Sequence, residues 1–414
     1  MDLNFLEKFT GIIGIAFILL IAYLFSNNRK KINLRLVSVG LLLQVITGIF
    51  ILKIPFGRKL VSFIASGVTA LLEISQEGGK FVFGFLANED LIAQRISESS
   101  GFIFAIQVIP TIIFICALVS MLYYFGILQV IVKFFAWFFN KLLNVSGAEA
   151  LANSAVVFIG QVESAIVIQP YLSKLTKSEI LTIMTGGMAC ISGSLMAIYS
   201  GLGVQTEYLL AASFMAAPGS FVISKIFYPE DGKPVTKDSI KIEHKPEEKN
   251  LVEAILDGAF SGVKISVGII AMLLAFISLI ALIDTLLSNI HNELSLKTIL
   301  GYLFTPFIYL LGVPKEDAGV VAALFGTKIS LNEFIAYIDL TKLINAHVLT
   351  PKGEAIATFI LCGFANFSSI AIQVGGLSQM APERKSDLAS LGFKAMICGA
   401  LVSCVSGCIV GILL

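Results

Sequence analysis

The sequence predicts an all-α integral membrane protein, and three observations predict it. The 414 residues are 57% hydrophobic and 14% charged, where a soluble domain carries about 25% charge, and mean hydropathy is +0.90. Apolar runs of span length recur between short basic loops, with room for roughly eight to ten spans of about 20 residues each. Two carboxylates, Glu163 and Glu333, stand inside apolar runs in the two halves of the chain. An acid at bilayer depth costs roughly 2.5 to 3.5 kcal/mol on the insertion scale, so such residues mark substrate or ion pathways.

Residues 9–28 are uncharged and predict a first helix. Arg29, Lys30, Lys31 and Arg35 follow, then a second helix over 36–52; this basic loop belongs in the cytoplasm and the N-terminus outside. Met1–Lys8 runs straight into the first apolar stretch without a small-residue cleavage site, so no signal peptide is expected. Residues 59–85, interrupted by Glu73, Glu77 and Lys80, predict an interfacial or broken amphipathic element. A third helix is expected over 101–132, with Pro110 as a tolerated kink, followed by an amphipathic piece around Trp137. The acid-bearing segment 147–172, a long apolar stretch over 180–204 and a span over 209–227 complete the first half.

Residues 228–250 hold eleven Lys, Asp and Glu with three prolines and predict a solvated cytoplasmic loop. A span over 263–283, a polar stretch, the acid-bearing segment 318–340 and spans over 355–380 and 388–414 make up the second half. If both acid-bearing segments turn back without crossing, the basic loops at 29–35, 229–250 and 384–385 all fall inside. Lys53, Arg58 and Lys59 then stand outside, against the positive-inside bias.

The halves echo each other. Residues 145–150 align with 313–318, Glu163 follows the first as Glu333 follows the second, and 182–192 aligns with 358–368. An odd number of crossings between the units inverts their orientation, and inverted repeats with interrupted helices are a transporter architecture. The interruptions are Gly186–Gly187 and Ile191–Ser194 in one unit and Gly363–Ser369 in the other. Glycine costs about 1 kcal/mol relative to alanine within a helix. Unwound backbone at membrane depth survives only where protein or a wet cavity satisfies it. Close packing of small residues in lipid explains Gly186, Gly187 and Gly193 equally well. Asn366, an amide in an apolar span, points instead to a ligand.

Gly160–Gln161–Val162–Glu163–Ser164 with Gln169–Pro170–Tyr171–Leu172 resembles the first hairpin motif of the concentrative nucleoside transporter family. Asn332–Glu333–Phe334–Ile335–Ala336–Tyr337 resembles its second hairpin. Cys362–Gly363–Phe364–Ala365–Asn366–Phe367–Ser368–Ser369, with Gly375–Gly376 and Met380–Ala381–Pro382 beyond, is similar to its second broken helix. The resemblance spans about 145–385 and implies eight transmembrane helices, two re-entrant hairpins and a homotrimer. It divides the chain into scaffold helices with an interfacial helix (1–140), a first transport repeat (141–228), a cytoplasmic loop (229–250), a scaffold helix (251–295) and a second transport repeat (296–414).

It also implies roles. Gln161 and Glu163 would face a nucleobase, with Val162 between them and Leu195 beside it. Glu333, Asn366 and Ser369 would hold the ribose hydroxyls, with Phe364 against the sugar and Asn332 nearby. The chemistry agrees: an amide matches the donor–acceptor edge of a base, and a carboxylate accepts strong charge-assisted bonds from two adjacent hydroxyls. Two departures matter. Val162 replaces a hydroxyl residue usual in the first hairpin, which alters base preference. The family's sodium site falls here on Val156, Ile159, Cys190 and Ile191, where two side chains lack the oxygen a hard cation wants. Asn153, one turn away, is the oxygen that would compensate. The coupling ion is therefore expected to be H+, with Na+ the alternative, and no organic cofactor is expected. A carboxyl in apolar surroundings can carry that proton, since desolvation disfavours its charged form.

The resemblance implies a multi-pass protein of the bacterial cytoplasmic (inner) membrane that imports nucleosides by symport. The alternatives are a symporter of another small polar metabolite, such as a nucleobase, and a passive channel. A channel favours rings of one charge sign and an open lumen, which isolated acids on paired hairpins do not supply. The net charge of +1 makes no electrostatic case for nucleic acid. An enzyme is not expected: HExxH and GxSxG are missing, and His244, His291 and His347 are scattered. The six cysteines lie in apolar segments without CxxC spacing, against a disulfide framework or structural zinc.

Overall fold

The computed structural model describes residues 3–87, 104–237, 249–291 and 294–414, and every regular element among them is helical. α1 (Leu3–Leu24) and α2 (Leu34–Leu52) come first. Arg29 donates to the carbonyls of Tyr23 and Leu24, a cation placed on the negative end of α1. α3 (Pro55–Phe83) is amphipathic and unbroken over 29 residues, so the break allowed over 59–85 does not occur. On its first turn Arg58 donates to the Leu52 carbonyl at 2.7 Å. Arg58 thus serves the end of α2, which accounts locally for one of the charges that opposed the topology.

The helix expected over 101–132 stops at Tyr124. α4 (Ile109–Tyr124) and α5 (Ile127–Leu143) meet at 75° across Phe125–Gly126, and α5 takes up the amphipathic piece with Trp137. Residues 101–103 lie outside the described residues. α6 (Gly147–Ile159) and two single turns, α7 (Glu163–Ile166) and α8 (Gln169–Leu172), form the acid-bearing segment. The apolar stretch over 180–204 is two helices, α9 (Lys177–Ala189) and α10 (Gly193–Gly201), parted at 190–192. α11 (Thr206–Phe227) follows.

α12 (Leu251–Ser288) runs 38 residues, well beyond the span expected over 263–283. The polar stretch expected after it is in large part a helix, α13 (Leu296–Leu310). Phe304 and Phe307 of α13 lie 5.3 and 5.9 Å, ring to ring, from Phe325 of α14 (Ala318–Ser330). α13 is itself an apolar helix, with Ile299, Tyr302 and Leu303 exposed on its other face. α15 (Glu333–Asn345), α16 (Pro351–Leu361), α17 (Phe367–Met380) and α18 (Lys385–Leu413) complete the chain. Among the described residues, five helices are long and apolar enough to cross a membrane, or up to six if the bent pair is one span.

α9, α11 and α18 are buried nearly all round and form the centre, with α1 and α2 against α11 and α18. Capping boxes at Ser146/Glu149 and Thr176/Glu179 start α6 and α9. The buried Lys225 of α11 pairs with Glu149 and donates to Ser178 Oγ at 2.9 Å. Loops distant in sequence share this end. Asn27 N–H donates to Phe227 O, Ser178 Oγ to Tyr228 O, and Arg384 to Leu175 O, at 2.8, 2.6 and 2.6 Å. The described residues that border these basic segments therefore lie at one end. Opposite the core, α12 rests on α4: a Cβ on Gly258 would stand 2.7 Å from Cys116 O, and one on Gly262 2.7 Å from Ile113 Cα.

Candidate functional site

Between the α4–α12 pair and the two acid-bearing segments lies a cavity of about 1150 Å³. Three helices begin at its wall. Ser192 caps α10 by accepting from Leu195 N–H, Asn332 caps α15 by accepting from Ile335 N–H, and Asn366 caps α17 by accepting from Ser369 N–H. Their positive ends converge where a polar ligand would sit. The sequence writes these starts directly, as Ser, Asn and Asn each opening a helix after a break.

Glu333 is the first residue of α15 and is buried. Its Oε1 accepts from Tyr199 Oη at 3.2 Å and its Oε2 from Asn366 Nδ2 at 2.8 Å. A carboxylate has about four lone-pair sites, and beside these two bonds and its own backbone N–H it keeps accepting capacity for a ligand. Asn366 Oδ1 is committed to the Ser369 N–H and the Ser368 hydroxyl, at 2.9 and 2.7 Å. One N–H of Asn366 is what remains for a ligand. The Tyr199 ring lies 4.4 Å from the Tyr337 ring, tilted by 31°, a contact that holds its hydroxyl on Glu333.

Glu163 is arranged differently. Gly160, at φ 105°, ends α6 in a backbone region that favours glycine, and a Cβ there would stand 2.7 Å from Glu163 Oε2. The Glu163 side chain is exposed to the cavity, without a side-chain partner among the described residues. Gln161 Oε1 is buried with no hydrogen-bond partner among the described residues. An unpaired buried acceptor costs about 1–3 kcal/mol, which a ligand donor would relieve.

All nine predicted site residues line this one cavity. Gln161, Val162 and Glu163 come from the first acid-bearing segment and Leu195 from α10. Asn332 and Glu333 come from the second segment, and Phe364, Asn366 and Ser369 from the second break. Sequence reasoning missed Tyr199, Lys328 and the α4–α12 wall with Cys116, Ser120, Asp257 and Ser261. Lys328 had a signal, a lone cation in an apolar run five residues before Glu333. Tyr199 had none, since its partner is 134 residues away.

The residues at the expected cation site fit sodium poorly. Val156 and Cys190 are fully buried, and Cys190 Sγ donates to the Ser213 carbonyl at 3.7 Å. Asn153 faces α9 rather than the cavity: its Nδ2 donates to Glu149 O at 3.0 Å, and its orphaned Oδ1 abuts Gly186. Backbone carbonyls near Ile159 and Ile191 are the oxygens left to a cation there. Among the described residues no group of three His, Cys, Asp or Glu is placed to hold a metal ion.

Comparison with known proteins covers almost the whole chain. Family models described as Na+ dependent nucleoside transporter N-terminus, nucleoside recognition, and Na+ dependent nucleoside transporter C-terminus match residues 13–86, 105–206 and 208–411. The nucleoside permease NupC of Helicobacter pylori is 37% identical over 97% of both chains. An uncharacterized transporter of Haemophilus influenzae is 42% identical over 97% of both. Sodium/nucleoside cotransporter 1 of Mus musculus is 35% identical, over 98% of this chain and 64% of its own. The solved structure of CNTnw in an inward-facing substrate-bound state superposes with a TM-score of 0.94, at 37% identity over 99% of both chains.

Proposed function

We propose, from the premise that this chain belongs to the concentrative, Na+-dependent nucleoside transporter family, that it is a symporter importing nucleosides on an inward proton gradient. The chain is a multi-pass membrane transporter of that family and not an enzyme. The observation that carries the substrate reading is the convergence of Gln161 and Glu163 with Glu333, Asn366 and Ser369 on one cavity. Glu333, held by Tyr199 and Asn366, offers its remaining accepting capacity to adjacent ribose hydroxyls. Gln161 offers an unpaired acceptor to the polar edge of the base, and Phe364 and Leu195 supply apolar contact to sugar and base.

Val156 and Cys190, which offer no oxygen, favour the proton over sodium. Glu163, with no side-chain partner among the described residues, can take up and release a proton without breaking a bond to another side chain. In the same reading the two acid-bearing segments are re-entrant hairpins of inverted repeats, 141–228 and 296–414. They move against a scaffold of 1–140 and 251–295 in a homotrimer of the bacterial inner membrane, with 229–250 in the cytoplasm. Sodium is the second reading, favoured by the names of the matched family models and of the mouse relative.

Uptake of labelled uridine and adenosine into proteoliposomes, with proton and Na+ gradients imposed separately, tests both parts. Uptake driven by protons, abolished by an uncoupler and indifferent to choline in place of Na+ is the expected result. Strict Na+ dependence overturns the proton assignment. Transport of nucleobase alone overturns the nucleoside assignment, and counterflow that does not saturate points to a passive channel.

A further inference from the structure

Lys328 is fully buried on α14 and is not among the residues that line the cavity. Its Nζ donates to Ile360 O at 2.8 Å, Cys362 O at 3.0 Å and Ser403 Oγ at 3.3 Å. Ser403 in turn donates to Cys362 O at 2.6 Å. Three acceptors meet the three N–H bonds of an ammonium, which is the condition for burying such a charge. Ile360 and Cys362 lie where α16 ends and the chain unwinds towards Asn366. These are carbonyls that a helix end leaves without intrahelical partners, at the negative end of its dipole.

The first break is built alike, and among the described residues no such cation stands on its carbonyls. α9 ends at Ala189 and α16 at Leu361, and each is closed by a cysteine in extended conformation, Cys190 and Cys362. The two breaks touch, since a Cβ on Gly363 would stand 2.5 Å from Ala189 O. At the first break Cys190 Sγ donates to the Ser213 carbonyl at 3.7 Å, a neutral contact.

We propose that Lys328 is a resident cation of the second break, a positioning residue that fixes the carbonyl end of α16. Through the five residues Cys362–Asn366 it holds Asn366 on Glu333. An ammonium tethered to the chain keeps this break in one shape without drawing an ion from solution. The first break is left as the one whose occupancy varies with conditions. The consequence for substrate rests on the nucleoside reading above; the consequence for the break does not.

The test uses the full-length protein in nanodiscs without any gradient, and reads uridine affinity by calorimetry together with melting temperature. Lys328→Met keeps the volume and removes the charge, and affinity should fall about tenfold or more, as loss of charged hydrogen bonds requires. Lys328→Ala should weaken binding similarly, and propylammonium, which replaces the deleted stem and charge, should restore affinity and raise the melting temperature. Tetramethylammonium, with no N–H, should do neither. A Lys328→Met protein binding within about twofold of wild type overturns the proposal. So does a folded Lys328→Ala protein that ignores propylammonium. If neither variant folds, Ser403→Ala decides: about threefold weaker binding is expected on loss of one acceptor, and unchanged affinity overturns the proposal. Wild-type protein that binds no nucleoside sinks the substrate reading alone, because the melting response of Lys328→Ala still judges the cation.

Discussion

Glu333→Gln isolates the charge that the sugar contact depends on. The substitution keeps the side-chain volume, so the fold should survive, with melting temperature close to wild type. In the structure Oε2 accepts from Asn366 at 2.8 Å and Oε1 from Tyr199 at 3.2 Å. Hydrogen bonds to an ionised group contribute about 1.5–3 kcal/mol and neutral ones about 0.5–1.5. Neutralising the acceptor of two ribose hydroxyls therefore loses about 2 kcal/mol. The new amide also turns an acceptor into a donor, so one of the surrounding donors loses its acceptor, at about 1–3 kcal/mol more. A total near 4 kcal/mol is two to three orders of magnitude in affinity, at about 1.4 kcal/mol per tenfold. Calorimetry in nanodiscs and uptake of labelled uridine into proteoliposomes read the loss. Uptake should be nearly abolished, and 2′-deoxyuridine should lose less than uridine because it has one hydroxyl fewer to forfeit. Unimpaired uridine transport by a folded Glu333→Gln protein refutes the assignment.

Gln161→Ala should shift preference among bases while leaving 2′-deoxy discrimination intact, at about 1–3 kcal/mol for the base edge left unpaired; competition by a panel of nucleosides reads this, and the reverse pattern means the two acid-bearing segments are assigned the wrong way round. Val156→Asn together with Cys190→Ser restores two oxygens beside the Ile159 and Ile191 backbone, so uptake should begin to depend on Na+; a Na+ titration in proteoliposomes decides, and a folded double variant with no response shows that ligand chemistry at these positions does not set the ion. Gly363→Ala should destabilise the protein by roughly 2–4 kcal/mol, from strain and overpacking together. Gly363 has φ 104°, and the added Cβ would stand 2.5 Å from Ala189 O and 2.6 Å from Met188 O. Thermal melting in detergent measures it, and a wild-type melting temperature would show that the two breaks do not press together.

Features set by nearest neighbours were legible in the chain. Apolar runs of span length, the basic loops between them and the polar linker follow from burial and charge residue by residue, so their order came through. Boundaries failed where tertiary contact intervened. The helix expected over 101–132 yields at Tyr124 to a 75° turn that hydropathy cannot register, since both arms are apolar. The stretch read as polar after residue 283 contains α13, a short apolar helix whose Phe304 and Phe307 pack on Phe325.

The candidate site divides in the same way. By itself the sequence determined which residues are anomalous: acids at Glu163 and Glu333, an amide at Asn366, and helix-breaking runs beside each. Their cost in lipid is local, so it shows without a structure. Only the tertiary structure decided that all of them meet in one cavity, that Tyr199 and Asn366 brace Glu333, and that Lys328 closes the end of α16. The reason is distance along the chain. Glu333 takes its hydrogen bonds from residues 134 positions before it and 33 after, and Lys328 reaches Ser403 75 positions on. Neither hydropathy nor periodicity carries information over such separations; only packing brings those atoms together.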